Sequence, residues 1–232
     1  MSDADAVAVV TGASRGIGRA AALSFSARGL SLVLLGRPSA ELERASSACL
    51  DAGAPRTSVV PVDLSDLQAV ERAGAEVLAA HGAPQIVLHN AGEVHRARVE
   101  QLALADWEHE LRLNLSAPFA LTRALLPAMR QQGRGRILFV GSISSTLGTA
   151  AQSAYCASKW GVVGLMKSLA AELSDSGLMT CAVLPGSVST RMLEGSGFPA
   201  RMTAEDVART LTFLALDAPL SHNGGVVEQF GV

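Results

Sequence analysis

Val7-Ala8-Val9-Val10-Thr11-Gly12-Ala13-Ser14-Arg15-Gly16-Ile17-Gly18 runs from an apolar tetrapeptide straight into a glycine-rich turn. Four consecutive apolar residues fit a strand buried on both faces. The next segment, Arg19-Ala20-Ala21-Ala22-Leu23-Ser24-Phe25, has the composition of a helix and stops at Gly29. Strand, glycine turn and helix in this order are the setting in which such glycines bind a dinucleotide. Gly12 suits the tight turn, while Gly16 and Gly18 let the backbone approach a pyrophosphate and let the helix pack closely on the sheet. The helix start offers free N–H groups to phosphate oxygens, and Ser14, Arg15 and Ile17 belong to the same cofactor-binding turn.

Downstream, Ser31-Leu32-Val33-Leu34-Leu35 is a second strand, followed by Gly36-Arg37. A site for NAD places an acid here to hold the ribose hydroxyls, whereas a site for NADP places an arginine beside the 2'-phosphate. The nearest acid, Glu41, falls inside the next helix. Arg37, with Arg15 on the other side of the phosphate, therefore points to NADP(H) in preference to NAD(H). The competing reading of both is a solvated surface arginine.

The alternation continues to the end of the chain. A helix from Ser39 to about Ala52 precedes a strand Thr57–Val62, which runs into Asp63. Asp63 suits either an adenine amino group or a tight turn. Ser65 or Asp66 caps a helix ending near His81-Gly82, and Gln85–Leu88 is the fourth strand, closing on His89-Asn90-Ala91-Gly92. The small residues Asn90, Ala91 and Gly92 let backbone lie against a flat cofactor. Leu104 to about Gln131 is a long helical region interrupted near Pro118, with Asn114 in a place where asparagine has little helical reason to be. Arg136–Gly141 is the fifth strand and leads to Ser142. A helix Tyr155–Leu173 and a strand Met179–Leu184 follow, then Pro185-Gly186 and an irregular Ser187–Met202. A helix from Thr203 to about Leu216 and a strand Val226–Gln229 complete the chain. The expectation is a single domain over residues 1–232, an α/β fold built as a Rossmann-type, doubly wound parallel sheet.

Tyr155-Cys156-Ala157-Ser158-Lys159 holds the only tyrosine of the chain and one of its two lysines. Residues four apart share a helix face, so phenol and ammonium can occupy one site. At about 5 Å and an effective dielectric near 20 the pair is worth roughly 3 kcal/mol, or about two pKa units off the phenol. Such a tyrosine exchanges protons with an alcohol or carbonyl near neutral pH. The plainer reading is a buried Tyr beside a solvated Lys.

With 49% hydrophobic and 17% charged residues in 232, much apolar surface must be covered, between layers and between subunits. A net charge of -2 gives no footprint for nucleic acid or an anionic membrane. Three widely spaced cysteines suggest reduced thiols, and five histidines show no metal-ligand spacing, so no metal is expected. No signal peptide or long apolar run is evident, and a soluble, cytoplasmic protein is the expectation.

Taken together, TGASRGIG at Thr11–Gly18, Asp63-Leu64, Asn90-Ala91-Gly92, Asn114, Ser142, Tyr155–Lys159 and Pro185-Gly186-Ser187-Val188-Ser189-Thr190 resemble the short-chain dehydrogenase/reductase family in order and distance. The resemblance implies that Tyr155 hands a proton to a carbonyl oxygen and that Ser142 donates a hydrogen bond to it. It implies that Lys159 binds the nicotinamide ribose and lowers the phenol's pKa, and that Asn114 holds a water of a proton relay. It further implies that Val188 and Thr190 contact the carboxamide beside Pro185 and Gly186. A sheet of about seven strands, and a homodimer or homotetramer built on helices near Leu111–Met129 and Tyr155–Leu173, are also implied. His89 departs from the more usual Asn, a change expected to alter hydrogen bonding near the adenosine. The short lid at about 187–202 is expected to leave the cleft open.

Within the family the motifs look most like 3-oxoacyl-thioester reductases, with Arg130 and Arg134 suited to an acidic acyl carrier. The expected activity is NADPH-dependent reduction of a ketone, a 3-oxoacyl thioester or similar. The alternatives are a dehydrogenase or ketoreductase for a small secondary-metabolite, sugar or steroid substrate, and a non-catalytic dinucleotide-binding sensor.

Overall fold

Successive side chains of a strand point to opposite faces of its sheet, and the central strands obey this strictly. Val7 and Val9 of β1 (Val7–Thr11) pack on one face, Ala8 and Val10 on the other. Both sets are buried, which is why the run has no polar alternation. The computed structural model describes residues 6–231; residues 1–5 and 232, at the ends of the expected domain, lie outside the described residues.

β1 is joined by β2 (Ser31–Gly36), β3 (Thr57–Pro61), β4 (Ile86–His89), β5 (Gly135–Val140), β6 (Leu178–Pro185) and β7 (Gly225–Gln229). All seven form one parallel sheet in the order β3-β2-β1-β4-β5-β6-β7. Val9 sits in register with Val33 on one side and Val87 on the other. The core is two layers, one on each face. Helices α1 (Gly16–Ala27), α2 (Ala40–Asp51) and α7 (Ala204–Thr212) cover the first, through residues such as Phe25, Leu42 and Val207. Helices α3 (Leu67–His81), α5 (Ala117–Gln132) and α6 (Ser153–Glu172) cover the second, through Val70, Leu121 and Val162.

The helix starts are set by local chemistry. Ser39 accepts from the Leu42 N–H at 3.2 Å, and Asp66 accepts from Gln68 and Ala69 at 3.0 and 3.1 Å. Asp66 is thus the cap of α3, while Ser65 turns back to Asp63. The long helical region changes character before Pro118, not at it. After α4 (Leu104–Leu111), residues Arg112–Ser116 form a wide turn, closed by the Ala117 N–H on the Arg112 carbonyl. Pro118 then falls in the first turn of α5, where a missing N–H is tolerated. Asn114 is the buried residue of the wide turn.

Candidate active site

The strand order reverses between β1 and β4, and a doubly wound sheet opens a crevice at the carboxyl ends of its strands there. One cavity of about 1120 Å³ occupies it, larger than the roughly 300–1,000 Å³ of ordinary small-ligand pockets. Gly12, Ser14, Arg15, Gly16 and Ile17 line it from the β1–α1 turn, Arg37 from β2, Asp63 from β3 and Asn90, Ala91 and Gly92 from β4. Ser142, Tyr155, Lys159, Pro185, Gly186, Val188 and Thr190 line the other end. Gly18 and Asn114 are not on its wall and stand behind it.

At the glycine end the backbone takes conformations and distances that a side chain would spoil. Gly12 and Gly16 have φ of +68° and +55°. A Cβ on Gly12 would lie 2.8 Å from the Ala91 Cα, and one on Gly16 would press at 3.2 Å on Thr190 across the cavity. A Cβ on Gly18 would overlap the Asn90 amide and the Gly12 carbonyl, so this glycine serves packing. Asn90 fixes the turn by donating from Nδ2 to the carbonyls of Thr11 and Gly12, both at 3.1 Å. No side chain caps α1 and no acid lies in its first turn, so its leading N–H groups face the cavity without a side-chain partner. Arg15 and Arg37 form no ion pair among the described residues. The arrangement can cradle a phosphate, and it fits a dinucleotide. Asp63 makes the tight turn that was one reading of it, and its place on the wall leaves it open to the cavity. It accepts from the Ser65 N–H and hydroxyl at 2.9 and 2.8 Å, which hold its carboxyl below the usual range, and it lines the cavity beside Arg37.

At the other end, Tyr155 and Lys159 are both buried on one face of α6. Lys159 Nζ stands 5.6 Å from the phenol ring centroid and donates to the Val140 carbonyl at 2.8 Å. Burial pushes the lysine down to about 8. Burial likewise pushes the phenol up to about 12, with the neighbouring Ser142 hydroxyl pulling the other way. This corrects the expectation of a phenol depressed by its lysine: loss of water on burial is the dominant influence, and the groups that pull it down are Ser142 and, more weakly, Arg96. Ser142 is oriented by a reciprocal cap, accepting from the Ser144 N–H at 3.1 Å and donating its own N–H to Ser145 Oγ at 3.3 Å. Asn114 uses its side chain for structure. Nδ2 donates to the Glu93 carbonyl at 2.9 Å and to Ser158 Oγ at 3.1 Å, and Oδ1 accepts from the Glu93 N–H at 3.0 Å. Its carbonyl cannot receive an i+4 bond, because residue 118 is proline.

Several site residues were not foreseen. The Tyr155 hydroxyl donates to Met192 Sδ at 3.7 Å, so the short 187–202 segment reaches the phenol; the expectation of an open cleft is corrected there. Arg96 ties that segment down, donating to the Met192 carbonyl at 2.6 Å and that of Glu194 at 3.4 Å. His89 turns away from the cavity, stacking on Phe139 at 4.8 Å and pairing Nε2 with Thr122 Oγ1 at 2.8 Å. Its expected place near the adenosine is therefore corrected: the fourth position of β4 faces the α3–α5–α6 layer. Arg130 and Arg134 are off the cavity wall, and Arg130 donates to the Glu172 carbonyl at 2.9 Å. Among the described residues no helix is long and apolar enough to cross a membrane.

Sheet order, crevice and glycine turn define a doubly wound protein of the Rossmann type. Comparison with known proteins narrows this. The family model described as short chain dehydrogenase matches residues 6–197. The Escherichia coli 3-oxoacyl-[acyl-carrier-protein] reductase FabG is 31% identical over 223 residues, covering 91% of this chain and 90% of that protein. A metagenomic short-chain oxidoreductase solved with NADP superposes with a TM-score of 0.86 at 33% identity, covering 98% of each chain. A Beutenbergia cavernae protein, described as a putative NAD(P)-dependent gluconate 5-dehydrogenase with bound NADP, gives 0.90 at 32% identity over 96% of this chain and 94% of its own. The chain belongs to the short-chain dehydrogenase/reductase family, a family of oxidoreductases.

Proposed function

We propose that this chain is an NADPH-dependent reductase that converts a ketone, a 3-oxoacyl thioester or a similar compound, to a secondary alcohol. The observation that supports it best is the meeting of Ser142, Tyr155 and Lys159 on the wall of the cavity whose far end holds the glycine turn, Arg15 and Arg37. The reduced nicotinamide, when bound, supplies the hydride for the carbonyl carbon. Ser142 donates a hydrogen bond to the carbonyl oxygen and stabilises the negative charge that grows there. Tyr155, protonated through neutral pH because burial holds its pKa near 12, gives that oxygen its proton. Lys159, held by the Val140 carbonyl, keeps a positive charge behind the phenol and replaces the proton. Asn114 fixes the Glu93 segment to α6 beside the lysine, and its backbone carbonyl, which no i+4 N–H can reach, is the group to receive a water of the relay. Gly92 must stay small here, since a Cβ would come within 3.0 Å of Asn114 Oδ1 and 3.5 Å of Lys159 Nζ.

Exposed Phe119 on α5 and Trp160 on α6 suit helix pairing with a second copy, and a homodimer or homotetramer belongs to this reading. The FabG relatives, named for 3-oxoacyl carrier-protein reduction, favour a thioester over a small diketone as substrate. NADPH oxidation followed with an acetoacetyl thioester, with a small diketone and with no ketone separates a thioester reductase from a small-ketone reductase and from a silent binder. Tyr155→Phe is expected to lower turnover at least about 10³-fold, at the scale of a lost acid catalyst, while NADPH affinity, read by its fluorescence, stays near wild type. Equal turnover of the two proteins sinks the assignment of Tyr155.

A further inference from the structure

Helix α4 packs against α6, and its one fully buried side chain is a carboxyl group, Glu110. Oε2 accepts from the His95 backbone N–H at 3.0 Å and faces the His95 ring Nδ1 at 3.3 Å. Oε1 is buried with no hydrogen-bond partner among the described residues. An open oxygen on a buried carboxyl is costly, so packing alone does not account for the residue. Burial pushes the Glu110 carboxyl above the usual carboxylate range, and the two His95 groups directed at Oε2 pull it back toward the ionised form; the His95 ring is 38% exposed. Asn114 lies one turn further along the same helical stretch.

The charge is felt inside the site. Glu110 opposes ionisation of Tyr155 and favours the charged form of Lys159. The other groups around it are Glu93 and His95 from the segment before α4, and His109 on its own helix, whose Nε2 stands 2.5 Å from Glu93 Oε1. Arg96 acts on Tyr155 with the opposite sign. Among the described residues these side chains are not grouped to hold a metal ion.

We infer that Glu110 is a positioning residue that, from behind the cavity, holds the Tyr155–Lys159 pair in its proton-loaded form, with His95 as its contact with solvent. A carboxylate here favours phenol over phenolate and ammonium over amine, which is the state from which a proton is donated. The chain's own residues thereby bias the site toward carbonyl reduction over alcohol oxidation. This inference rests on the reading of Tyr155 as the proton donor.

The chain has a single tyrosine, so fluorotyrosine incorporation gives the full-length protein one fluorine resonance that reports this phenol alone. Its titration midpoint is expected to fall by about one unit in Glu110→Gln, the size of one nearby charge at an effective dielectric near 20. The alkaline limb of the ketone-reduction profile is expected to fall with it. Glu110→Asp, which keeps the charge, should move both back toward wild type. Unchanged midpoints in folded Glu110→Gln overturn the inference, as does an equal shift in the Gln and Asp variants, which would mark a packing effect. If Glu110→Gln does not fold, Glu110→Met, which removes both the charge and the open oxygen at similar volume, replaces it: the midpoint should fall in the same way, and no movement overturns the inference. The phenol titration is independent of turnover, so failure of the Tyr155 assignment, seen as an active Tyr155→Phe, is a separate result.

Discussion

Arg37 stands at the end of β2, on the cavity wall and without an ion pair among the described residues. A guanidinium in that place matches a 2'-phosphate and has nothing to offer a bare ribose, whereas a carboxylate would do the reverse. Arg37→Asp is therefore expected to lower the ratio of kcat/KM for NADPH over that for NADH by roughly 10- to 100-fold, at about 1.5–3 kcal/mol for a charge-assisted hydrogen bond. An unchanged ratio would leave Arg37 a surface charge. At this same scale the sequence was a good guide to which residues meet and a poor guide to their energies. The spacing of Tyr155 and Lys159 brought phenol and ammonium to one face, with Nζ 5.6 Å from the ring centroid. The pairwise estimate still had the wrong sign for the phenol, because it counted attraction and left out the water both groups lose on burial. Glu110, His95, Arg96 and Met192 were not legible at all. Each reaches the site across the fold from a loop or a neighbouring helix, and no local pattern marks such a contact.

Elements were the most legible level, for a physical reason. The central strands, covered on both faces, are continuous apolar runs, and glycine, proline and capping residues punctuate the chain, so all seven strands were readable with ends off by a residue or two, the partly exposed edge strands β3 and β7 included. The wide turn at Arg112–Ser116 was less so: its one sign was an asparagine where helix propensity is poor, and Pro118 drew attention a few residues too late. Helix contacts are where sequence patterns say least. Gly74, mid-helix in α3, looks like a defect in isolation. In the structure it admits α5, since a Cβ there would stand 2.6 Å from the Ala124 Cβ. Ala has the better helix propensity by about 1 kcal/mol, but overpacking a tight helix contact costs roughly 1–3 kcal/mol. Gly74→Ala is accordingly expected to destabilise by about 1 kcal/mol in urea denaturation, and a stabilised variant would mean that the two helices part freely.

Across the whole molecule the two core layers serve different ends: one seats the phosphate cradle through α1, the other presents α6 and its phenol. The second layer also contains a buried base that the first does not. His89 pairs Nε2 with Thr122 and has no partner for Nδ1 among the described residues, so a second proton has no stabilising contact, and burial lowers its pKa to about 3. In the unfolded chain the ring titrates near 6.5. Above that value both states are neutral and stability is complete. As pH falls below it, the unfolded chain takes a proton that the native state refuses, and stability is lost progressively until about pH 3. Between pH 7 and pH 5 this one group should cost roughly 2 kcal/mol. His89→Asn removes the titration together with the stack on Phe139, so the variant should be less stable at pH 7 and lose less on acidification. The two urea-unfolding free energies should therefore converge by roughly 2 kcal/mol on going from pH 7 to pH 5, with every other titrating group cancelling in the difference. Parallel losses in the two proteins would mean that the His89 ring accepts its proton in the folded state.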